Sequence, residues 1–294
     1  MSEVFHSGYV SLVGRPNVGK STLLNAVLGQ KIAIVTRRPQ TTRNRILGIK
    51  TSSDAQIIFI DTPGIHEPRN LLGRAMVRSA REVLKEIDLV VFVTEPGPHV
   101  EKDRIVFQAL EGTGKPTFLL INKIDLVQRQ EILRVIGIYK DLFPFTEVIP
   151  VSALKRDGLD IFLRKVREYL PEGPKYYPED LVTDQIERFM AAEIVREKIM
   201  AKTSDEIPYS VAVEVRNWAE REDGMVMIDA NIYVEREGQK GIIIGDKGKK
   251  LKAIGTQARL DIEKLLDAKV FLQLWVKVRK GWRDDHKALN EMGF

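Results

Sequence analysis

Gly14-Arg15-Pro16-Asn17-Val18-Gly19-Lys20-Ser21 follows an apolar run, Tyr9–Val13, and leads into a helical pattern over Ser21–Leu28. These eight residues match G-x-x-x-x-G-K-[ST] in the strand–loop–helix setting that this motif requires. Glycines at its two ends let backbone N–H groups converge on phosphate oxygens, and the start of the following helix adds a favourable dipole. Lys20 is placed to reach the β- and γ-phosphates and the Ser21 hydroxyl to bind Mg²⁺. Thr22 follows in the same turn and is counted with the site. The loop makes the first half a nucleotide-binding α/β domain. Alone, it does not separate ATP from GTP.

Outward from this loop, four more apolar segments recur: Ile57–Ile60, Leu89–Val93, Thr117–Ile121 and Val148–Val151. They are short and show little alternation, as strands buried on both faces of a mostly parallel sheet do. Helical stretches such as Leu72–Glu86 and Asp160–Tyr169 lie between them, which implies a doubly wound α/β domain.

Short motifs follow three of these strands. Asp61-Thr62-Pro63-Gly64 puts a carboxylate at a strand end, where it can hold Mg²⁺, and a glycine whose N–H can sense the γ-phosphate. In Asn122-Lys123-Ile124-Asp125, the Asp125 carboxylate can accept hydrogen bonds from guanine N1–H and N2–H₂, neither of which adenine offers. Asn122 would tie this loop to the phosphate loop, and the Lys123 stem could cover the base. Ser152-Ala153-Leu154 can present a backbone N–H to guanine O6. Between the first helix and second strand lies Gln40-Thr41-Thr42-Arg43, where one threonine hydroxyl, Thr42 by preference, completes the Mg²⁺ shell. No apolar anchor occurs from Arg37 to Asn44, so this loop can order and disorder with nucleotide state. Singly, D-x-P-G reads as an ordinary turn and N-K-x-D as a solvated loop; their order behind the phosphate loop carries the argument.

The five motifs together resemble the P-loop GTPases of the translation-factor-like superclass. Ras-like enzymes carry a glutamine after D-x-x-G that orients the attacking water; here the residue is Ile65, whose side chain cannot. Relatives with a hydrophobic residue there and an asparagine in the phosphate loop use K⁺ held in part by that asparagine, which would be Asn17. The resemblance implies slow GTP hydrolysis to GDP, stimulated by K⁺ or a partner, with Lys20, Asn17, Thr42 and Gly64 as the catalytic set.

Leu170-Pro171-Glu172-Gly173-Pro174-Lys175-Tyr176-Tyr177-Pro178 cannot continue a helix and reads as a linker. We divide the chain into residues 1–172, a linker 173–180, and residues 181–294. The last part opens with a helical pattern over Asp184–Met200. Two strands, Tyr209–Arg216 and Val226–Glu235, follow, and their alternation predicts an antiparallel sheet with one covered face. The apolar stretch Gly241–Ile244 precedes Gly245-Asp246-Lys247-Gly248, a helix Lys249–Leu266 striped by Leu251, Ile254, Ala258, Ile262 and Leu265, and a strand Val270–Val278.

The run from Ile242 to Ile254 resembles the I-I-G-x-x-G-x-x-[IL]-x-x-I core of a KH domain, whose G-x-x-G loop clamps about four nucleotides of a single strand. Lys240, Lys247, Lys249, Lys250 and Lys252 are candidates for backbone contact, with Gly245, Asp246 and Gly248 forming the loop. Helix and strands before the loop suit the type II variant. Trp275 and Trp282 could stack on bases, and core or rim is the simpler place for Trp275.

The 294 residues carry a net charge of +5. The basic excess lies in the first 177 residues, so nucleic-acid binding by the second half needs a local cluster, and 240–252 supplies one. No cysteine is present, which excludes disulfides and thiolate metal sites. No apolar run reaches the ~18–20 residues that span a bilayer and no leader is evident, so a cytoplasmic protein is expected.

A GTPase domain followed by a smaller α+β type II KH domain resembles the Era family, end to end. The likeness includes Gln40–Arg45, Asp61–His66, and Trp282-Arg283 with Leu289 and Gly293-Phe294. It implies binding to the 3′ end of 16S ribosomal RNA and the small ribosomal subunit, a part in that subunit's maturation, and peripheral association with the cytoplasmic face of the cell membrane. A monomer that binds RNA and not DNA is the working expectation. Two other readings stand beside it: a P-loop ATPase or small-molecule kinase, against which Asp125 speaks, and a second domain that docks protein or membrane, against which the lysines and G-x-x-G speak.

Overall fold

The computed structural model describes residues 4–97 and 99–294. The chain forms two compact units. The first holds the chain to Ala33, Pro39–Arg69 and Gly73–Asp184; the second holds Ile34–Arg38, Asn70–Leu72 and Gln185–Phe294.

The first half of the chain runs β1 (His6–Val13), α1 (Lys20–Leu28), β2 (Ile46–Thr51), β3 (Ala55–Asp61), α2 (Leu71–Val83), β4 (Leu89–Thr94), α3 (Val100–Leu110), β5 (Thr117–Ile121), α4 (Arg129–Lys140), β6 (Glu147–Pro150) and α5 (Leu159–Tyr169). The strands make one sheet in the order β2-β3-β1-β4-β5-β6. All neighbouring pairs are parallel except β2 with β3. β3, β4 and β5 are buried along their whole length, which is why their sequences do not alternate. Phe92, Phe107 and Tyr139 sit in the core on one face of the sheet, with Ile65 among them.

In the second unit α6 (Glu187–Lys202) is followed by a helical turn α7 (Ile207–Ser210), β7 (Ala212–Glu220), β8 (Val226–Val234), α8 (Glu237–Ile244), α9 (Lys249–Leu266), β9 (Val270–Val278) and α10 (His286–Glu291). The three strands lie in the order β7-β8-β9. β7 and β8 are antiparallel, as expected, but β8 and β9 run parallel, so the sheet is mixed. The helices α8 and α9 between β8 and β9 make the crossover that a parallel pair needs. Tyr209 and Ser210, expected in a strand, belong to the turn started by Pro208, and the stretch Gly241–Ile244 is the end of α8. Helices α6 and α9 cover one face of the sheet, with Val195, Ile199, Ile228, Ile232, Ile254, Ala258 and Ile262 at the centre. Trp282 is fully buried, and its indole N–H donates to the Ser210 carbonyl at 3.0 Å. Among the described residues, no helix is long and apolar enough to cross a membrane.

The proline-rich stretch after α5 is fastened to the first unit. Ser7 N–H donates to Pro171 O and Gly173 N–H to Phe5 O, at 3.0 Å each. One buried side chain, Gln56 on β3, does most of the rest. Its Oε1 accepts from the N–H groups of Tyr176 (2.7 Å) and Tyr177 (3.0 Å), and its Nε2 donates to Tyr177 O (2.9 Å) and Thr51 Oγ1 (3.0 Å). Beyond it, Ile49 N–H donates to Val182 O and Thr183 Oγ1 to Leu47 O, so 182–183 covers the outer edge of β2. Replacing Gln56 with alanine strips partners from three backbone groups at once. Gln56→Ala is therefore expected to lower unfolding free energy by about 1–3 kcal/mol, read by urea denaturation, and to open the 171–178 stretch to proteolysis. Unchanged stability would contradict this account of the fastening.

Candidate functional site

Four of the five motifs identified in the first half lie where a strand of the parallel sheet ends at its carboxyl edge, the position at which open α/β sheets bind ligands; the fifth, Gln40–Arg43, lies between α1 and β2. Gly14 follows β1, Asp61 closes β3, Asn122 follows β5, and Ser152 comes two residues after β6.

The phosphate loop runs from Gly14 through Arg15, Pro16, Asn17 and Val18 to Gly19, and α1 begins at Lys20. Asn17 adopts a left-handed conformation, φ 67°, and its side chain is exposed. The Lys20 ammonium donates to the carbonyls of Gly14 (3.2 Å) and Arg15 (3.1 Å), folding back over its own loop. Burial pushes this ammonium down to about 8; the Asp61 carboxylate opposes that and the Arg15 guanidinium adds to it.

Three oxygen-bearing side chains meet beside Lys20. Ser21 Oγ donates to Asp61 Oδ2 at 2.6 Å, Thr42 Oγ1 donates to the same oxygen at 3.3 Å, and the two hydroxyls lie 2.7 Å apart. Asp61 is 0 % exposed, and its second oxygen, Oδ1, is buried with no hydrogen-bond partner among the described residues. Burial raises the pKa of this carboxyl; Lys20 and the two hydroxyls pull it back. Hard oxygen donors of this kind fit Mg²⁺, which takes one or two carboxylates and fills its shell from substrate phosphates and water. Ser21, Thr42 and Asp61 are the residues that would hold it.

Thr62 and Pro63 lead from Asp61 to Gly64, which packs flat against Pro16. A methyl group at Gly64 would stand 2.5 Å from Pro16 N, so only glycine fits this approach. Ile65 N–H donates to Gly14 O (3.1 Å) while its side chain is buried in the core. An unexpected link joins this segment to the threonine loop. His66 Nδ1 lies 2.8 Å from Gly64 O and therefore donates, leaving Nε2 to accept from Gln40 Nε2 at 3.0 Å. Thr42 and Arg43 are buried as well, so the loop that the sequence left without anchors is held by polar ones.

On the base side, Asn122 Nδ2 donates to Val18 O and Asn122 Oδ1 accepts from Ala153 N–H, at 2.9 Å each. Asp125 is exposed, and its Oδ1 accepts from Ser152 Oγ at 2.5 Å. Leu154 is 73 % exposed at the end of this loop. Lys123 does not hang free: its ammonium donates to Asn17 O (2.7 Å) and to Glu95 (2.5 Å). Sequence reasoning also missed Asp103 on α3, fully buried, which accepts from Arg15 Nε (2.5 Å), Thr94 Oγ1 (2.9 Å) and Tyr139 OH (2.5 Å). No motif contains it; an acidic residue within an otherwise apolar helix face was the one available sign.

In the second unit α8 ends at Gly245, and Gly245-Asp246-Lys247-Gly248 makes a tight turn into α9 with Lys247 left-handed at φ 46°. Lys247, Lys249 and Lys252 are exposed, Lys240 and Lys250 half-buried, and Asp246 pairs with Lys249 at 2.8 Å. Beside the turn lies an open groove of about 390 Å³, lined by Gly248, Leu251, Lys252, Gly255, Thr256 and Arg259 of the α9 side and by Leu272 and Leu274 of β9. The last five of these positions gave no signal as a site in the sequence.

Comparison with known proteins gives two family matches. A family model described as a 50S ribosome-binding GTPase matches residues 9–123, and a KH domain model matches residues 206–283. The chain is 53 % identical over 295 residues to the GTPase Era of Geobacter metallireducens, covering 99 % of this chain and 98 % of the relative. It is 49 % identical over 294 residues to that of Ruminiclostridium cellulolyticum, covering 99 % and 98 %. Among solved structures, it resembles a single-substitution variant of Aquifex aeolicus Era bound to GDP·AlF₄⁻, with a TM-score of 0.94 and 42 % identity over 98 % of this chain and 99 % of that one. An Era structure holding MgGDPNP and nucleotides 1506–1542 of 16S ribosomal RNA matches with the same values.

The lowered Lys20 pKa carries a sign that can be tested. Without ligand, the ammonium is held against its burial, and that penalty is fully present below about pH 8 and falls away as pH rises from there towards the ordinary lysine value of 10.5. Phosphate oxygens supply the missing counter-charge, so binding restores the proton's affinity. Lys20 Nζ, followed by ¹⁵N NMR, is expected to titrate near 8 in the nucleotide-free protein and above about 10 with Mg²⁺ and GDP. An ordinary lysine titration without nucleotide would contradict this.

Proposed function

This chain belongs to the Era family of GTPases, and from that premise we propose that it is a switch that binds the 3′ end of 16S ribosomal RNA through its KH domain and assists maturation of the small ribosomal subunit. The observation that carries the nucleotide half is the meeting of Ser21, Thr42 and Asp61 beside Lys20, with one Asp61 oxygen unpartnered. The RNA half is supported by the exposed lysines around Gly245–Gly248 and the groove beside them, and by the relative solved with 16S nucleotides. Residues 1–172 act as the GTPase domain, 173–180 as the linker and 181–294 as the RNA-binding domain.

Hydrolysis needs no protein nucleophile, because phosphoryl transfer to water is governed by positioning and charge neutralisation. Backbone N–H groups of the Gly14–Ser21 loop, Pro16 excepted, cradle the phosphates, and Lys20 exchanges its two loop carbonyls for β- and γ-phosphate oxygens. Thr42 and Gly64 report the γ-phosphate from the two loops that Gln40 and His66 join. Bound Mg²⁺ neutralises charge developing between the β- and γ-phosphates. Asp125 reads the guanine amino edge, oriented by Ser152, while the Ser152-Ala153-Leu154 loop faces O6; the Ala153 N–H itself is held by Asn122 Oδ1. Ile65 is buried and apolar, so water is oriented by something other than that side chain. Asn17 would hold K⁺, which would supply positive charge beside the phosphates, and the rate would stay slow without K⁺ or a partner.

Lys240, Gly245, Asp246, Lys247, Gly248, Lys249, Lys250 and Lys252 form the RNA contact. Nucleotide state sets RNA access through the two switch loops. The protein acts as a cytoplasmic monomer with peripheral association at the cell membrane. The test measures GTP and ATP hydrolysis in K⁺ and in Na⁺ buffer, with and without a single-stranded RNA of the small-subunit 3′ end. GTP alone should be turned over, several-fold faster in K⁺, at a rate that the RNA changes. Equal turnover of ATP would overturn the base assignment, and equal rates in K⁺ and Na⁺ the role of Asn17.

A further inference from the structure

The sheet of the second unit has an outer face, opposite α6 and α9, that carries two exposed aromatic side chains. Side chains alternate along β9. Leu272 and Leu274 line the groove, and Phe271 and Trp275 fall on the opposite side, 43 % and 57 % exposed. Four residues apart on one strand, they are separated by about 13 Å. The simpler expectation for Trp275 was core or rim, and its exposure on an open sheet face is the departure that calls for a reason.

β9 is the edge strand, so one and the same strand borders the groove and the outer face. Exposed Lys269 and Lys277 lie at its start and near its end. Two carboxylates share the face, and both are engaged. Glu214 pairs with Arg216 (3.0 Å) and accepts from Tyr233 OH (2.9 Å), and Asp229 accepts from Asn217 Nδ2 (3.3 Å). Aromatic rings interleaved with lysines along an edge strand make a surface for stacking bases and pairing phosphates.

We propose that this face is a second contact for single-stranded RNA, continuous with the groove around the edge of β9, with Trp275 and Phe271 stacking bases beyond the segment held at Gly245–Gly248. The proposal rests on the RNA reading given above. A G-x-x-G cleft holds about four nucleotides, whereas the related Era structure holds nucleotides 1506–1542. RNA of that length must run well past such a cleft.

The test uses the full chain and two single-stranded RNAs, of about four and about twelve nucleotides, both containing the 3′-end sequence. Trp275→Ala should weaken binding of the longer RNA roughly tenfold and leave the shorter one unchanged, while Trp275→Phe, which keeps a stacking ring, should retain affinity. The longer RNA should quench tryptophan fluorescence in the wild type, and this quenching should be lost in Trp275→Phe. Lys247→Asp should weaken both RNAs. If Trp275→Ala binds the longer RNA like the wild type while Lys247→Asp does not, the face serves a protein partner or none, and this proposal falls with the groove reading intact. If neither RNA binds the wild type, both fall. If Trp275→Ala weakens the longer RNA while Lys247→Asp changes nothing, the outer face stands and the groove reading falls.

Discussion

The side-chain amide of Asn122 joins three loops that are far apart in sequence, and the nucleotide site depends on that junction. Its nitrogen donates to Val18 in the phosphate loop and its oxygen accepts from Ala153 after β6, while its own backbone continues from β5. Being buried, neither bond is exchanged with water, so breaking either leaves an unpaired polar group, a loss of about 1–3 kcal/mol. The base loop thus cannot shift without moving the phosphate cradle. Asp103 braces the same cradle from the other side through Arg15, and the Glu95–Lys123 contact closes the circuit between them.

Within this frame sits a conflict of charges. Asp61 places a carboxylate in a fully buried position, with Lys20 as its nearby cation and one oxygen unpartnered. Burial penalises both charges, lowering the lysine pKa and raising that of the acid. A divalent cation and a chain of phosphates would relieve both. Asp61 also holds Thr42, and the Gln40–His66 hydrogen bond joins the Thr42 loop to the one that carries Gly64, so a ligand that relieves Asp61 would act on both.

Much of this was legible in the sequence. Buried parallel strands write themselves as unbroken apolar runs, and Thr117–Ile121 was read to the residue; the half-exposed Val270–Val278 was found through its alternation. β2 was missed because Ile46–Thr51 is a six-residue edge strand with a glycine inside it, and edge strands lack a continuous apolar signature. The parallel pairing of β8 with β9 was missed because alternation reports one covered face and not strand direction. Local motifs revealed the phosphate loop and the base loop. Asp103, Tyr139 and Glu95 carry no motif, because they act through contacts between distant elements, and His66 stood in a motif whose sequence does not tell of its bond to Gln40. Gln56 belongs with them: nothing in Ala55–Asp61 tells that this polar side chain fastens the stretch after α5.

On the proposed reading, selectivity for one purine comes down to the exposed carboxylate of Asp125, which the Ser152 hydroxyl holds at the end of this braced frame. Its most direct test is to replace the carboxylate with an amide and compare guanosine and xanthosine diphosphate affinities by competition. Asp125→Asn should lose guanosine affinity roughly a hundredfold and gain affinity for xanthosine, whose C2 oxygen can accept from the new amide. A variant that still prefers guanosine would show that some other group reads the base.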